Sequence, residues 1–114
     1  MPNGRDGFVA EDLDLLVRWF GPNFHFDARG GFMLVELKYG NAWIGGAQKM
    51  TFGVLDELLR KGDPEGQRYT GFYLVQYDNE DWECARFKIN GVSITQEQMV
   101  QFWLHQYPVL PFKF

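Results

Sequence analysis

Apolar residues along this chain alternate between helical and strand-like spacing. From Val9 to Phe20 they recur every three or four positions, which predicts a helix that ends at Gly21 and Pro22. Two shorter apolar runs follow, at Phe24–Asp27 and Phe32–Tyr39, and the glycines between them favour a tight turn. The first third of the chain therefore predicts a helix followed by a β-hairpin.

The middle of the chain repeats this alternation. Residues Ala47–Lys61 carry apolar side chains on one helical face, which predicts a second helix. The stretch Thr70–Asp78 is nearly all apolar, as is typical of a buried central strand. Trp82–Ile89 is predicted as a further strand, followed by a tight turn at Asn90-Gly91.

The last helix is predicted over Gln96–Gln106, because Thr95 and Gln98 match a capping box at its start. The resulting order is α-β-β-α-β-β-α. Helices that alternate with groups of strands predict an α/β (α+β) fold, a small mixed sheet flanked by helices. The chain has 114 residues, 46% of them hydrophobic and 18% aromatic, which suits a single domain spanning residues 1–114.

Charge and cysteine content narrow the class of protein. A net charge of −4 argues against a general nucleic-acid coat protein. It does not exclude an enzyme that holds nucleic acid through a local basic patch and metal ions. Cys84 is the single cysteine, which excludes an internal disulfide and is typical of a reducing compartment. No apolar run approaches a membrane span, and the first residues lack the apolar core of a signal peptide. We therefore expect a cytoplasmic protein without a membrane partner.

Two charged residues, Glu36 and Lys38, interrupt the apolar strand Phe32–Tyr39. Residues two apart on a strand point to the same face, so their side chains lie next to each other. Charged side chains are rarely buried without a partner or a chemical task. The pair is therefore either a structural ion pair, the more common case for such a pattern, or part of a site.

Asp27 ends the strand that precedes Glu36, and it would meet Glu36 if the hairpin folds as predicted. Two carboxylates in contact cannot both stay charged cheaply, and a divalent cation relieves their repulsion. Mg²⁺ takes oxygen ligands and keeps several waters, so Asp27, Glu36 and the carbonyl of Leu37 make a plausible open site. Lys38 would orient a water toward a phosphorus atom and stabilise developing negative charge.

Asp27 followed by Glu36-x-Lys38 resembles the motif of the PD-(D/E)xK nuclease superfamily. Gln48, in the next predicted helix, is similar to a glutamine of its RecB-like and VRR-nuclease branches. The resemblance covers about residues 9–77. It implies a restriction-endonuclease-like fold and cleavage of DNA phosphodiester bonds with Mg²⁺ or Mn²⁺. It also implies that Asp27 and Glu36 are metal ligands and that Lys38 and Gln48 are catalytic.

The sequence departs from that family pattern in three ways, the first being a spacing between Asp27 and Glu36 at the short end of the family range. Phe26 stands where the motif has a proline before Asp27, and two predicted strands rather than three precede the middle helix. Some branches also take an acid from the first helix. Glu11, Asp12 and Asp14 are all available for that role, and the sequence does not choose among them.

Two functions remain open at this point. The first is a metal-dependent endonuclease acting on DNA, as a homodimer or in a larger complex, because so small a domain offers little surface to grip a duplex. The alternative is a catalytically inert nuclease-fold module or phage-type protein, which would dock a partner protein or nucleic acid through its aromatics and its apolar C-terminal tail. For DNA contact, the sequence predicts Trp43 as a base-stacking residue and the following phosphate contacts: Arg29, Lys49, Arg60 and Arg68.

Overall fold

A computed structural model describes residues 12–20 and 30–114 of the chain. Within them the order of elements is β-β-α-β-β-β-α. The elements are β1 (Leu15–Trp19), β2 (Gly31–Tyr39), α1 (Gly46–Gly62), β3 (Tyr69–Tyr77), β4 (Phe87–Ile89), β5 (Val92–Ile94) and α2 (Gln96–Trp103). The described residues thus form a small α+β fold with a five-stranded mixed sheet and two helices.

The strands lie in the sheet in their chain order, from β1 at one edge to β5 at the other. Only β2 and β3 run parallel, and the other neighbouring strands are antiparallel. A parallel pair needs a crossover connection, and α1 supplies it. The strand β2, which carries Glu36, Leu37 and Lys38, and the start of α1, which carries Gln48, are therefore consecutive parts of one β-α-β unit.

Helix α1 covers one face of the sheet. Alternate residues of β2 and β3, including Leu34, Phe72 and Leu74, point to this face and pack with Phe52 of the helix. On the opposite face, the other alternate residues of the same strands pack against Met99 of α2 and its neighbours. Burial of both faces explains why β2 and β3 are nearly continuous apolar runs.

The helix predicted from Val9 to Phe20 is wrong for the described residues, because β1 occupies Leu15–Trp19. Val17 and Trp19 are half-buried against the α2 side of the sheet, while Leu16, Arg18 and Phe20 are exposed. This alternation is the period of a strand. Pairing with β2 satisfies the backbone of this segment, and that tertiary contact outweighs the local helical spacing.

The predicted hairpin also needs correction. Its first strand, Phe24–Asp27, lies outside the described residues. The strand that pairs antiparallel with β2 is β1, from Leu15 opposite Val35 to Trp19 opposite Gly31. The partner of the Glu36 strand is therefore an earlier segment of the chain than the sequence predicted.

The later elements that were predicted are present and differ from the predictions only at their ends. Helix α1 and strand β3 match their predicted ranges to within one residue, and the Thr95–Gln98 capping box is present. Strand β4 is shorter than predicted because the Asp81 carboxylate and the carbonyls around it close a turn first. The short strand β5 was not predicted. Helix α2 ends at Trp103, just before His105 adopts a positive φ of 57°.

The C-terminal tail is part of the core rather than a free extension. The Phe112 N–H donates to the Phe72 carbonyl at 2.8 Å, and the Phe112 ring is buried on the α1 side. Gly71 makes room for this tail, because its φ is +134° and a Cβ there would lie 2.6 Å from Pro111. Neither helix in the described part of the chain is long and apolar enough to cross a membrane.

Candidate active site

Glu36 and Lys38 both project from β2 toward α1, as their spacing of two residues predicts. Glu36 is only 2% exposed, and Lys38 is half-buried. The apolar residue Leu34 precedes them on the same face. A buried carboxylate costs free energy unless polar partners replace its water, so the surroundings of Glu36 are the first thing to establish.

Gln48, in the first turn of α1, links the two charged side chains. Lys38 Nζ donates to Gln48 Oε1 at 2.9 Å, and Gln48 Nε2 donates to Glu36 Oε2 at 3.0 Å. The three residues thus form one hydrogen-bonded chain from lysine to amide to carboxylate. The arrangement differs from a direct ion pair, because the amide lies between the opposite charges.

Asp14 is the acid that the structure brings to this site. The register that pairs Leu15 with Val35, continued by one residue, sets Asp14 directly opposite Glu36 on the same face of the sheet. Asp14 Oδ2 also accepts the Leu37 N–H at 2.9 Å, which extends the sheet edge beyond the end of β1. The sequence had left Asp14 open as a helical residue, whereas it immediately precedes a strand.

The carbonyl oxygen of Leu37 points to the β1 side of β2, where Asp14 lies. In a strand, the N–H and C=O of one residue point toward the same neighbouring strand. Because the Leu37 N–H points to Asp14, its carbonyl oxygen lies on that side too. Oxygen atoms of Asp14, Glu36 and Leu37 are therefore grouped just before the first residue of β1.

The carboxyl group of Glu36 has an unusual proton affinity. Burial, then the hydrogen bond and negative charge of Asp14, raise the pKa of Glu36 to about 7, and the positive charge of Lys38 offsets only part of this. Among the described residues, Glu36 Oε1 is buried and has no hydrogen-bond partner. Two carboxylates can bond only through a shared proton. Asp14 and Glu36 can therefore lie in contact only if they share a proton or bind a cation between them.

The oxygen atoms at this position fit the metal that the family resemblance implies. Two carboxylates and a carbonyl are the ligand types that Mg²⁺ and Mn²⁺ prefer, and the remaining positions are normally filled by water. Within residues 12–20 and 30–114, no group of three or more histidine, cysteine, aspartate or glutamate side chains is close enough to hold a metal ion. The fit rests on Asp14, Glu36 and the Leu37 carbonyl together. Asp27, predicted as a ligand, lies outside the described residues.

The predicted DNA contacts have different surroundings. Lys49 is exposed at the start of α1, next to Gln48, and Trp43 is about half exposed in the preceding loop. Arg60 is bonded to Asp56 at 2.9 Å near the far end of the helix. Arg68 donates to the Gly30 carbonyl at 2.8 Å. Arg29 lies outside the described residues.

Comparison of the chain with protein-family models, curated protein sequences and solved structures finds no significant match.

Glu36 should make the metal-free protein less stable as the pH rises from about 4.5 to about 7. The side chain ionises at the lower pH in the unfolded chain and at the higher pH in the folded one. In this window the folded state binds more protons, so the free energy of unfolding falls with pH, by about 3 kcal/mol in total for this group.

Urea unfolding of the wild type and Glu36→Gln at pH values below and above this window measures the effect. The variant should lose most of the pH dependence. The control is Glu57→Gln, which removes an exposed carboxylate of helix α1 and should keep the wild-type dependence. An unchanged pH dependence in Glu36→Gln contradicts the assigned environment.

Proposed function

We propose that this protein is a metal-dependent endonuclease that hydrolyses DNA phosphodiester bonds. One observation carries the proposal: the buried Glu36 carboxylate faces Asp14, one of its oxygens has no partner in the described part of the chain, and a lysine is held on the same face. Titratable groups with strongly shifted pKa values gather at functional sites, because chemistry needs environments that stability alone does not favour. A structural role would be served by a direct ion pair at lower cost.

Asp14, Glu36 and the Leu37 carbonyl would hold the metal. When bound, Mg²⁺ or Mn²⁺ supplies Lewis-acid stabilisation of phosphoryl oxygens and makes water easier to ionise. The two oxygens of Glu36 would have different roles. Oε2 accepts a hydrogen bond from Gln48 Nε2, and Oε1 would bind the metal. Asp27 remains a predicted further ligand.

Lys38 is the residue that would act on the water and the phosphate. Its ammonium group is a hydrogen-bond donor with two N–H bonds left beyond the one to Gln48. It can orient a water whose oxygen bonds to phosphorus as a P–O ester bond breaks, and it stabilises negative charge that develops on the phosphoryl oxygens. Gln48 is catalytic in this proposal by fixing Lys38 and Glu36 relative to each other.

The chain order of these residues supports the resemblance to PD-(D/E)xK nucleases. Glu36-x-Lys38 lies on the strand that enters a crossover helix, and Gln48 is in the first turn of that helix. The acid opposite Glu36 is Asp14, which immediately precedes β1. A small restriction-endonuclease-like core is the fold that we propose on these grounds.

A stripe on α1 supports the proposed homodimer or larger complex. Met50, Val54 and Leu58 are spaced four residues apart, so they share one side of the helix, and each is more than half exposed. An apolar stripe of this kind is typical of an interaction surface. The same stripe suits the second candidate function, an inert nuclease-fold module that docks a partner protein.

Mn²⁺ should stabilise the fold if Asp14 and Glu36 hold it. Binding to the folded state alone adds about 2.7 kcal/mol at a metal concentration of about 100 times the dissociation constant. Thermal melting with and without Mn²⁺ measures this, and Asp14→Asn should lose most of the metal-induced shift because it removes a charged ligand.

Asp12→Asn is the matched control, since Asp12 is a neighbouring exposed acid. It should keep the wild-type shift. Equal shifts in the two variants would remove Asp14 from the metal site, and no shift in the wild type would argue against the site as a whole.

A further inference from the structure

A groove lies between the start of α1, the β4–β5 hairpin and the C-terminal tail. Its volume is about 600 Å³. The residues that matter for its chemistry are Trp43, Lys49, Val92, Tyr107, Leu110 and Lys113. A volume of this size is in the range of sites for single small ligands or parts of an extended one.

The charge of the groove is opposite to that of the whole chain. The chain carries a net charge of −4. The described residues that line the groove nevertheless include Lys49 and Lys113 and no aspartate or glutamate. The groove therefore presents positive charge to a ligand, which favours a phosphate-bearing molecule over a cationic partner.

Trp43 gives the groove an aromatic surface. Its side chain is 48% exposed. The Trp43 ring packs against Phe112, with the two ring centroids 5.9 Å apart, and its edge lies next to Gly91. An exposed indole fixed in this way is a platform on which a nucleic-acid base can stack, whatever the base.

The segment that connects β2 to α1 contributes residues to the groove, and the two elements it joins carry residues of the candidate active site. Trp43 lies in the loop that leads from β2, which carries Lys38, to α1. Lys49 directly follows Gln48, whose side chain bonds to Lys38. A ligand strand held by Trp43 and Lys49 is therefore bound by the same β2–α1 connection that joins the residues proposed for cleavage.

We propose that this groove binds an unpaired strand of nucleic acid, with a base on Trp43 and phosphates at Lys49 and Lys113. A single strand exposes its bases for stacking, whereas a duplex keeps them paired inside. That this strand is the substrate rests on the proposed nuclease function, but its binding does not. The substrate class is then DNA with a single-stranded segment beside the cleaved bond.

The experiment is a binding titration of a fluorescently labelled single-stranded oligothymidylate, with EDTA present so that no metal-dependent cleavage occurs. Trp43→Ala should weaken binding by roughly 5- to 150-fold, because stacking of one base is lost. Lys49→Ala should reduce the slope of log affinity against log salt by about 0.7, because one phosphate contact is lost. Melting curves confirm that both variants fold.

Lys61→Ala is the matched control, since it removes the same charge from the far end of α1, where Lys61 pairs with Glu57. It should leave affinity and salt slope nearly unchanged. The proposal is overturned if the oligonucleotide does not bind, if a duplex of equal length binds as well, or if Trp43→Ala has no effect. It is also overturned if the groove instead mediates self-association, seen as a dimer by light scattering that Leu110→Ser converts to a monomer.

The two proposals can fail separately. Binding through Trp43 without cleavage of any DNA supports the groove and contradicts the nuclease. Cleavage that Trp43→Ala and Lys49→Ala leave unchanged, with unaltered binding, supports the nuclease and contradicts the groove.

Discussion

Lys38→Ala should abolish DNA cleavage while leaving metal binding intact, whereas Glu36→Ala should abolish both. Loss of a group that stabilises charge in the transition state costs roughly 100- to 1000-fold in rate, and more if it also orients the water. Removing Lys38 also takes a positive charge away from the metal position, so Mn²⁺ should bind as well as before or more tightly. In the proposed site Glu36 is a metal ligand, so its loss should remove the metal and the activity together.

Three measurements on each variant separate these outcomes: plasmid nicking, a Mn²⁺ titration and a melting curve. Lys61→Ala controls for loss of an exposed lysine and should nick like the wild type. A purely structural role for Glu36 and Lys38 gives a different pattern. Each substitution would then lower stability by a similar amount, on the order of 1–3 kcal/mol, without a selective effect on metal affinity.

Phe72→Ala should lower the free energy of unfolding by about 3–5 kcal/mol, the usual range for a large aromatic removed from a core. Phe72 is 0% exposed and lies at the centre of the α1 side of the sheet. Its ring stacks on Phe52 of the helix at 5.1 Å and contacts Phe112 and Phe114 of the tail. The cavity left by alanine would loosen both the helix and the tail from β3.

Urea unfolding measures this loss, and Phe20→Ala is the matched control because Phe20 is 71% exposed. The control should change stability by no more than about 0.5 kcal/mol. A loss below about 1 kcal/mol for Phe72→Ala would contradict the assignment of Phe72 to the core. Since α1 carries Gln48, a loosened helix should also weaken metal binding, which the same variant tests.

The parts of the fold that could be predicted are those whose signal is local. Strand β3 is a continuous apolar run, α1 has an apolar helical face, and α2 begins with a capping box, so short windows of sequence suffice. The segment from Leu13 to Phe20 carries two patterns at once. Leu13, Leu16 and Phe20 fit a helix, while Val17 and Trp19 alternate as in a strand, and only pairing with β2 decides between them.

The same distinction explains what the sequence could say about the site. Glu36, Lys38 and Gln48 lie on one strand and the turn of helix that follows, so their proximity was predictable from spacing. Asp14 reaches Glu36 through the register of two strands whose residues are far apart in the chain. The signal that could have found it is the alternation of Val17 and Trp19, read backward to the acid before the strand.

The most direct test is incubation of supercoiled plasmid, and separately of single-stranded circular DNA, with the wild-type protein and Mn²⁺, followed by separation of the DNA forms on a gel. We predict nicked and linear DNA with Mn²⁺, and none when EDTA is added or when Lys38→Ala replaces the wild type. A wild-type protein that binds no Mn²⁺ and nicks no form of DNA would contradict the nuclease and leave the inert binding module in its place.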